Sequence, residues 1–146
     1  MKFSQLLEPG LTSQGPLDRI AQGQREAGRR FPAVAREHGF RLVDPSQSGL
    51  ASPAGTIIGV AAEWAVLDMQ ILDDLSGTTR DWVREPVELL DISSVEGSAF
   101  IERLSPGCTR LGHTPIVIQI EAGRVVRTET GKAARDFLRA VYLGKS

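Results

Sequence analysis

The spacing of apolar residues along the chain predicts strands that alternate with helices. Residues 40–44 (FRLVD) alternate apolar and polar side chains, as a half-buried strand does. Residues 56–61 (TIIGVA) are apolar without alternation, which is typical of a strand covered on both faces. Helical spacing follows in residues 62–75, where one side collects Leu67, Ile71, Leu72 and Leu75.

The pattern continues with a third strand and another helix. Residues 87–93 (VELLDIS) are strand-like, and Ser93 or Ser94 can cap a helix that runs to Leu104. Strands separated by helices run parallel, because a helical crossover returns the chain to the same end of the sheet.

The C-terminal part predicts a hairpin and a last helix. Residues 114–120 and 124–128 are strand-like and are joined by a Glu-Ala-Gly turn, so this pair is antiparallel. Residues 132–143 have helical spacing, with a buried face expected at Phe137, Leu138, Val141 and Tyr142. The predicted fold class is α/β, with a mixed sheet and helices on both faces.

The N-terminal region is predicted as a helical extension. Residues 1–15 are polar and interrupted by Gly and Pro, so we expect them to be loosely held. A helix is expected from Pro16, and Pro32 predicts a break into two short helices before Gly39. We therefore divide the chain into an extension, residues 1–39, and a main domain, residues 40–146, within one globular unit.

Composition narrows the function classes. The 146 residues carry a formal net charge of −1, which gives no general attraction to nucleic acid or to an anionic membrane. The lead is broken before an apolar core of signal-peptide length develops, and no apolar run approaches the roughly 20 residues of a membrane span. The single cysteine, Cys108, cannot form an internal disulfide. We expect a cytoplasmic protein with neither a nucleic-acid nor a membrane partner.

Residues 56–141 resemble the thioredoxin-like superfamily. TIIGVAAEWAVLDMQILDDL is similar to the family's second strand, its tryptophan, here Trp64, and its active-site helix. VELLDIS, with Asp91, resembles the next strand. HTPIVIQIEAGRVVRTETG resembles the Thr-Pro loop, the terminal hairpin and the glycine before the last helix. The resemblance implies a thioredoxin-like fold in which Pro115 is cis beside the active-site turn.

The family's Cys-x-x-Cys motif is missing from this chain. Its two cysteine positions hold Ala65 and Asp68. Disulfide exchange needs an attacking thiolate and a resolving thiol, so the family's oxidoreductase activity is not expected. Asp68 is expected to stabilise the helix, because a carboxylate in the first turn complements the positive end of the dipole.

Without the cysteines, the resemblance still implies a surface that binds a partner. The family holds extended segments by strand addition beside the Thr-Pro loop, and this binding mode needs no thiol. The helical lead on a thioredoxin-like core without Cys-x-x-Cys is also similar to hydrogenase-maturation chaperones that bind a precursor's signal peptide. We expect a protein or peptide partner and no cofactor or metal. The expected partner-binding residues are Glu63, Trp64, Ala65, Asp68, His113, Thr114 and Pro115.

Two alternatives remain open at this point. Cys108 could be a reactive thiol of a peroxidase or a glutathione-linked enzyme, if the neighbouring Arg110 lowers its pKa. The chain could instead be a structural subunit or a homo-oligomer in which the N-terminal helices pack on a partner. The two histidines, His38 and His113, lack the spacing of a metal site.

Overall fold

The structure is a computed structural model that describes residues 1–7, 16–47, 50, 52–110 and 112–144, with the side chains of residues 16–18 excepted. A short 3-10 helix spans Phe3–Leu7. The remaining elements, in chain order, are α1 (Pro16–Glu37), β1 (Arg41–Leu42), β2 (Gly55–Val60), α2 (Val66–Ser76), β3 (Val87–Asp91), α3 (Val95–Leu104), β4 (Ile116–Glu121), β5 (Arg124–Thr130) and α4 (Gly131–Tyr142).

The strands form one mixed sheet in the order β1-β3-β2-β4-β5. The pairs β1 with β3 and β2 with β3 are parallel, whereas β2 with β4 and β4 with β5 are antiparallel. The predicted α/β class with parallel strands and a C-terminal antiparallel hairpin is confirmed. The hairpin turn places Ala122 and Gly123 at positive φ, 52° and 73°, as a two-residue turn between twisted strands requires.

The core lies on both faces of the sheet. Side chains alternate along a strand, so Ile57 and Ile58 of the central strand β2 enter different hydrophobic clusters. The larger cluster joins Ile58 to α1, α2 and α4. The smaller cluster joins Ile57 to α3 through Phe100 and Ile101. Across the described ranges, every helix is too short or too polar to span a membrane bilayer.

The first long helix is continuous, so the predicted break at Pro32 is wrong. α1 contains Pro32 in its interior. Proline removes one hydrogen bond to the carbonyl four residues earlier, but the buried face of the helix continues past it. The free energy gained by packing the buried face of α1 outweighs the cost of the hydrogen bond that Pro32 removes. The buried residues on either side of the proline are Ala27, Phe31, Val34 and Ala35.

The start of the chain is packed rather than loosely held. Phe3 is fully buried, and the backbone N–H groups of Phe3 and Ser4 donate to the Asp73 carboxylate at 2.6 and 3.1 Å. The Phe3 ring also lies 5.7 Å from the Phe31 ring, measured between centroids. The expectation of a loose lead is therefore wrong for residues 3–7. The part of the lead from residue 8 to residue 15 lies outside the described residues.

Two residues predicted on buried helix faces are exposed. In α2 the buried stripe through Ile71, Leu72 and Leu75 reaches back to Asp68 at helical spacing, so Leu67 falls outside it and is 52% exposed. In α4, Val141 is 43% exposed because it lies at the edge of the buried stripe. In the first turn of α2, the charged Asp68 is therefore buried, and the neighbouring apolar Leu67 is exposed.

Candidate functional site

A groove of about 590 Å³ lies where the first turns of α2 and α4 meet the loop before β4. The chain leaves β2 at Val60 and turns sharply, with the N–H groups of Trp64 and Ala65 both donating to the Ala61 carbonyl at 3.2 and 2.9 Å. This turn presents the Trp64 side chain to the outside. The residues that line the groove are Trp64, Ala65, Val66, Leu67, Asp68, Gly112, His113, Thr114, Gly131, Lys132 and Arg135.

One wall of the groove is apolar and exposed. Trp64, Val66 and Leu67 are each 52% exposed, although large apolar side chains are usually buried. Two smaller depressions, of about 240 and 140 Å³, adjoin the groove, and Trp64 lines both of them. The larger of the two is also lined by Ile20 and Glu63. A contiguous apolar surface of this kind is typical of an interaction site.

Asp68 lies beneath the groove and is only 1% exposed. Its Oδ2 accepts a hydrogen bond from the Ala61 N–H at 3.0 Å, whereas Oδ1 is buried without a hydrogen-bond partner among the described residues. Burial raises the pKa of the Asp68 carboxyl, against the opposing effects of the Ala61 N–H, the Thr114 side chain and the positive charge of Arg135. Asp68 does lie in the first turn of α2, but the expectation that it simply stabilises the helix is incomplete, because its burial penalises the charged form.

The opposite wall is formed by the loop before β4 and the first turn of α4. The Thr114–Pro115 peptide bond is cis, and the buried Pro115 carbonyl accepts a hydrogen bond from the Gly131 N–H at 2.9 Å. The Arg135 Nη1 donates to the Thr114 carbonyl at 3.5 Å. Gly131 has φ 61°, and a Cβ there would lie 3.3 Å from the Cβ of the exposed His113. The loop and the helix are thus held together directly.

The structure brings together most of the residues that the sequence singled out. Trp64, Ala65, Asp68, His113 and Thr114 line the groove itself. Pro115 is buried behind this wall, and Glu63 lines the adjoining depression instead.

The sequence analysis did not predict the cationic residues and the glycines that line the groove. These residues are Gly112, Gly131, Lys132 and Arg135, together with the apolar Val66 and Leu67. A signal for the α4 residues was present in the hairpin, because β4 and β5 pair Ile116 with Thr130 and so return the chain to the Thr-Pro loop. Val66 and Leu67 could have been found as the apolar residues of the first turn of α2 that lie outside the buried stripe containing Asp68.

Cys108 is not part of the groove lining that the structure describes. Its half-buried Sγ contacts the Ile101 carbonyl at 3.7 Å. Burial raises the pKa of the Cys108 thiol, and the negative charge of Glu102 raises it further. The direction of this shift does not favour the alternative in which Cys108 is a reactive thiol activated by Arg110. Among the described residues, no group of three or more His, Cys, Asp or Glu side chains is arranged to hold a metal ion.

Comparisons with family models, with curated proteins and with solved structures find no match to this chain.

Proposed function

We propose that this chain is a redox-inactive thioredoxin-like protein that binds an extended segment of a protein partner in the groove, as a chaperone or assembly factor. The strand order, with a helix after β2 and a Thr-Pro loop before β4, supports the thioredoxin-like assignment. We also propose a cytoplasmic location, because a chain with a single cysteine needs no oxidising compartment for an internal disulfide.

The observation that carries this proposal is the exposed cluster of Trp64, Val66 and Leu67 beside the Thr114 loop. Burying one large apolar side chain contributes about 1.5–3 kcal/mol, so covering this wall would give a partner substantial affinity. Tryptophan is also enriched among the residues that dominate binding energy at protein interfaces. Neither Ala65 nor Asp68 supplies a thiol, so recognition without disulfide exchange is the function that this groove supports best.

Peptide selection tests the proposed function directly. A random peptide library is selected on the wild-type protein, and the recovered peptides are measured by fluorescence anisotropy against a variant that combines Trp64→Ala with Thr114→Arg. We expect the affinity to fall by at least about tenfold, because the variant removes the main apolar contact and fills the groove.

The matched control is Val83→Ala combined with Val126→Ala, since both valines are exposed and neither lines the groove. Circular dichroism and thermal unfolding establish that all variants are folded. Failure to recover any specific peptide, or equal affinity for the wild type and the groove variant, would overturn the proposal.

A further inference from the structure

We propose that the groove selects an acidic peptide segment, with an Asp or Glu side chain of the partner seated between the N-termini of α2 and α4 and close to Lys132 and Arg135. This inference rests on the proposed function and specifies the chemistry of the segment that the groove binds.

Two helix N-termini converge on the groove. α2 begins after Ala65, which has no side-chain group for capping, and α4 begins after Thr130, whose side chain makes no capping hydrogen bond. The first turns of both helices line the groove. The first N–H groups of a helix lack partners within it and carry a positive partial charge, so a carboxylate is favoured there. In α4 the Gly131 N–H already donates to the Pro115 carbonyl, so the donors that α4 offers are the N–H groups of Lys132 and Ala133.

Two cationic side chains reinforce this preference. Lys132 is 81% exposed and pairs with Asp136 at 2.9 Å, a surface ion pair of the kind that contributes little and exchanges readily. Arg135 uses Nη1 for the Thr114 carbonyl, and its guanidinium has further donors in a planar fork. Among the described residues, the anionic groups beside the groove are Asp68, whose charged form is penalised by burial, and Asp136. Glu63 lines the larger adjoining depression together with the cationic Arg19.

The buried Oδ1 of Asp68 favours a peptide over a free anion. This oxygen lies under the groove and makes no hydrogen bond of normal geometry among the described residues, although the Thr114 side chain favours the charged carboxyl. A buried acceptor without a well-formed hydrogen bond is costly. The oxygen has almost no accessible surface in the free protein, so a partner's backbone N–H reaches it only when the groove lining moves on binding. A peptide carries such a donor beside its acidic side chain, whereas a free carboxylate ion has none. One acidic peptide thus satisfies both the positive wall and the unpaired oxygen.

The adjoining depressions favour the interior of a chain over its C-terminus. They share Trp64 with the groove, and they provide about 240 and 140 Å³ for further residues. A segment that continues past the carboxylate can fill them. The carboxylate in the groove is therefore assigned to a side chain.

An oriented peptide library tests the inference. Short peptides are blocked at both ends, with the central residue fixed as Glu, Asp, Gln, Lys or Leu and the flanking residues random, and binding to the immobilised full chain is quantified. We expect the Glu or Asp pools to bind about tenfold better than the Gln pool, with the Lys pool weakest. The preference should shrink as salt is raised.

The variant Lys132→Gln with Arg135→Gln should lose this acidic preference while it still binds the Leu pool. The charge-matched control, Arg84→Gln with Arg124→Gln, should keep the preference, because both arginines are exposed and lie outside the groove lining. A Gln pool with a free C-terminal carboxylate tests the other source of the charge, and its tighter binding than the blocked Glu pool would overturn the assignment to a side chain.

The two proposals fail in different ways. Binding that depends on Trp64 but shows no preference for Glu or Asp over Gln would overturn the inference and leave the proposed function standing. Absence of any binding that the Trp64→Ala, Thr114→Arg variant reduces would overturn the proposed function and the inference together. Loss of the acidic preference in the Arg84, Arg124 control as well would assign the effect to net charge and also overturn the inference.

Discussion

At the scale of single residues, the candidate site is defined by an inversion of the usual burial. Asp68 is buried, whereas the side chains of Trp64, Val66 and Leu67 are exposed to solvent. Charged side chains are usually exposed and large apolar ones usually buried, so this arrangement is the reverse of the normal one. The Ala61 N–H donates to Oδ2 of Asp68, and the Thr114 side chain also favours the charged carboxyl, but Oδ1 makes no hydrogen bond of normal geometry among the described residues. Because burial penalises the charged form, ionisation of Asp68 lowers the stability of the folded protein, and in the proposed complex a bound donor would offset this cost.

The pH dependence of stability tests the state of Asp68. Its pKa in the folded protein lies above the ordinary value of 3.8, because burial penalises the charged form. The stability that the neutral acid contributes is present below 3.8 and is lost as pH rises through the raised pKa. Asp68→Asn keeps an oxygen for the Ala61 N–H but cannot ionise, so its stability relative to the wild type should increase with pH across this window.

Urea denaturation of both proteins at a series of pH values measures this difference. Burial also raises the pKa of Glu88, but Glu88 is present in both proteins, so the difference between them reports on Asp68 alone. Parallel pH profiles for wild type and Asp68→Asn would contradict the prediction.

At the scale of elements, the helices differ in whether a side chain caps the N-terminus. α3 begins with a capping serine, because Ser94 Oγ accepts a hydrogen bond from the Gly97 N–H at 3.0 Å. α2 and α4 begin without a side-chain cap, and these are the two helices that face the groove. The α3 terminus is capped by a side chain, whereas α2 and α4 are not, and in α4 the Gly131 N–H already donates to the Pro115 carbonyl at 2.9 Å.

Removal of the Ser94 cap should destabilise the protein without changing the groove. Ser94→Ala is expected to cost about 1 kcal/mol of unfolding free energy, because the Gly97 N–H loses its partner. Chemical denaturation measures the change, and Val95→Ala at the adjacent, highly exposed position is the control. Equal stabilities of Ser94→Ala and the wild type would show that the cap contributes nothing.

At the scale of the whole molecule, the start of the chain and the sheet share one core. Phe3 lies in the same hydrophobic cluster as Phe31 of α1, Leu72 of α2 and Leu89 of β3. Its backbone is also tied to Asp73 of α2. Residues 1–39 and residues 40–146 therefore differ in their position along the chain, but they pack into one hydrophobic core.

Truncation of Phe3 tests this joint core. Phe3→Ala should lower the free energy of unfolding by about 3–5 kcal/mol, because a fully buried ring is replaced by a cavity. A single transition should be observed both by far-ultraviolet circular dichroism and by emission of the buried Trp82, recorded in a Trp64→Phe background. Lys2→Ala, at an exposed neighbour, is the control. Two separate transitions, or a loss below about 1 kcal/mol, would contradict a shared core.

The sequence by itself determined the order and type of the main elements, because local patterns suffice for them. The apolar run of β2, a serine cap at Ser93 or Ser94 and the Glu-Ala-Gly hairpin each act over a few neighbouring residues, and the structure identifies Ser94 as the cap. It also placed Trp64, Asp68 and Thr114 at one site, through the family resemblance. Only the tertiary structure decided that α1 continues through Pro32, that Asp68 is buried with an unpaired oxygen, and that Lys132 and Arg135 complete the groove. Those outcomes depend on packing between residues far apart in the chain, which local propensity does not encode.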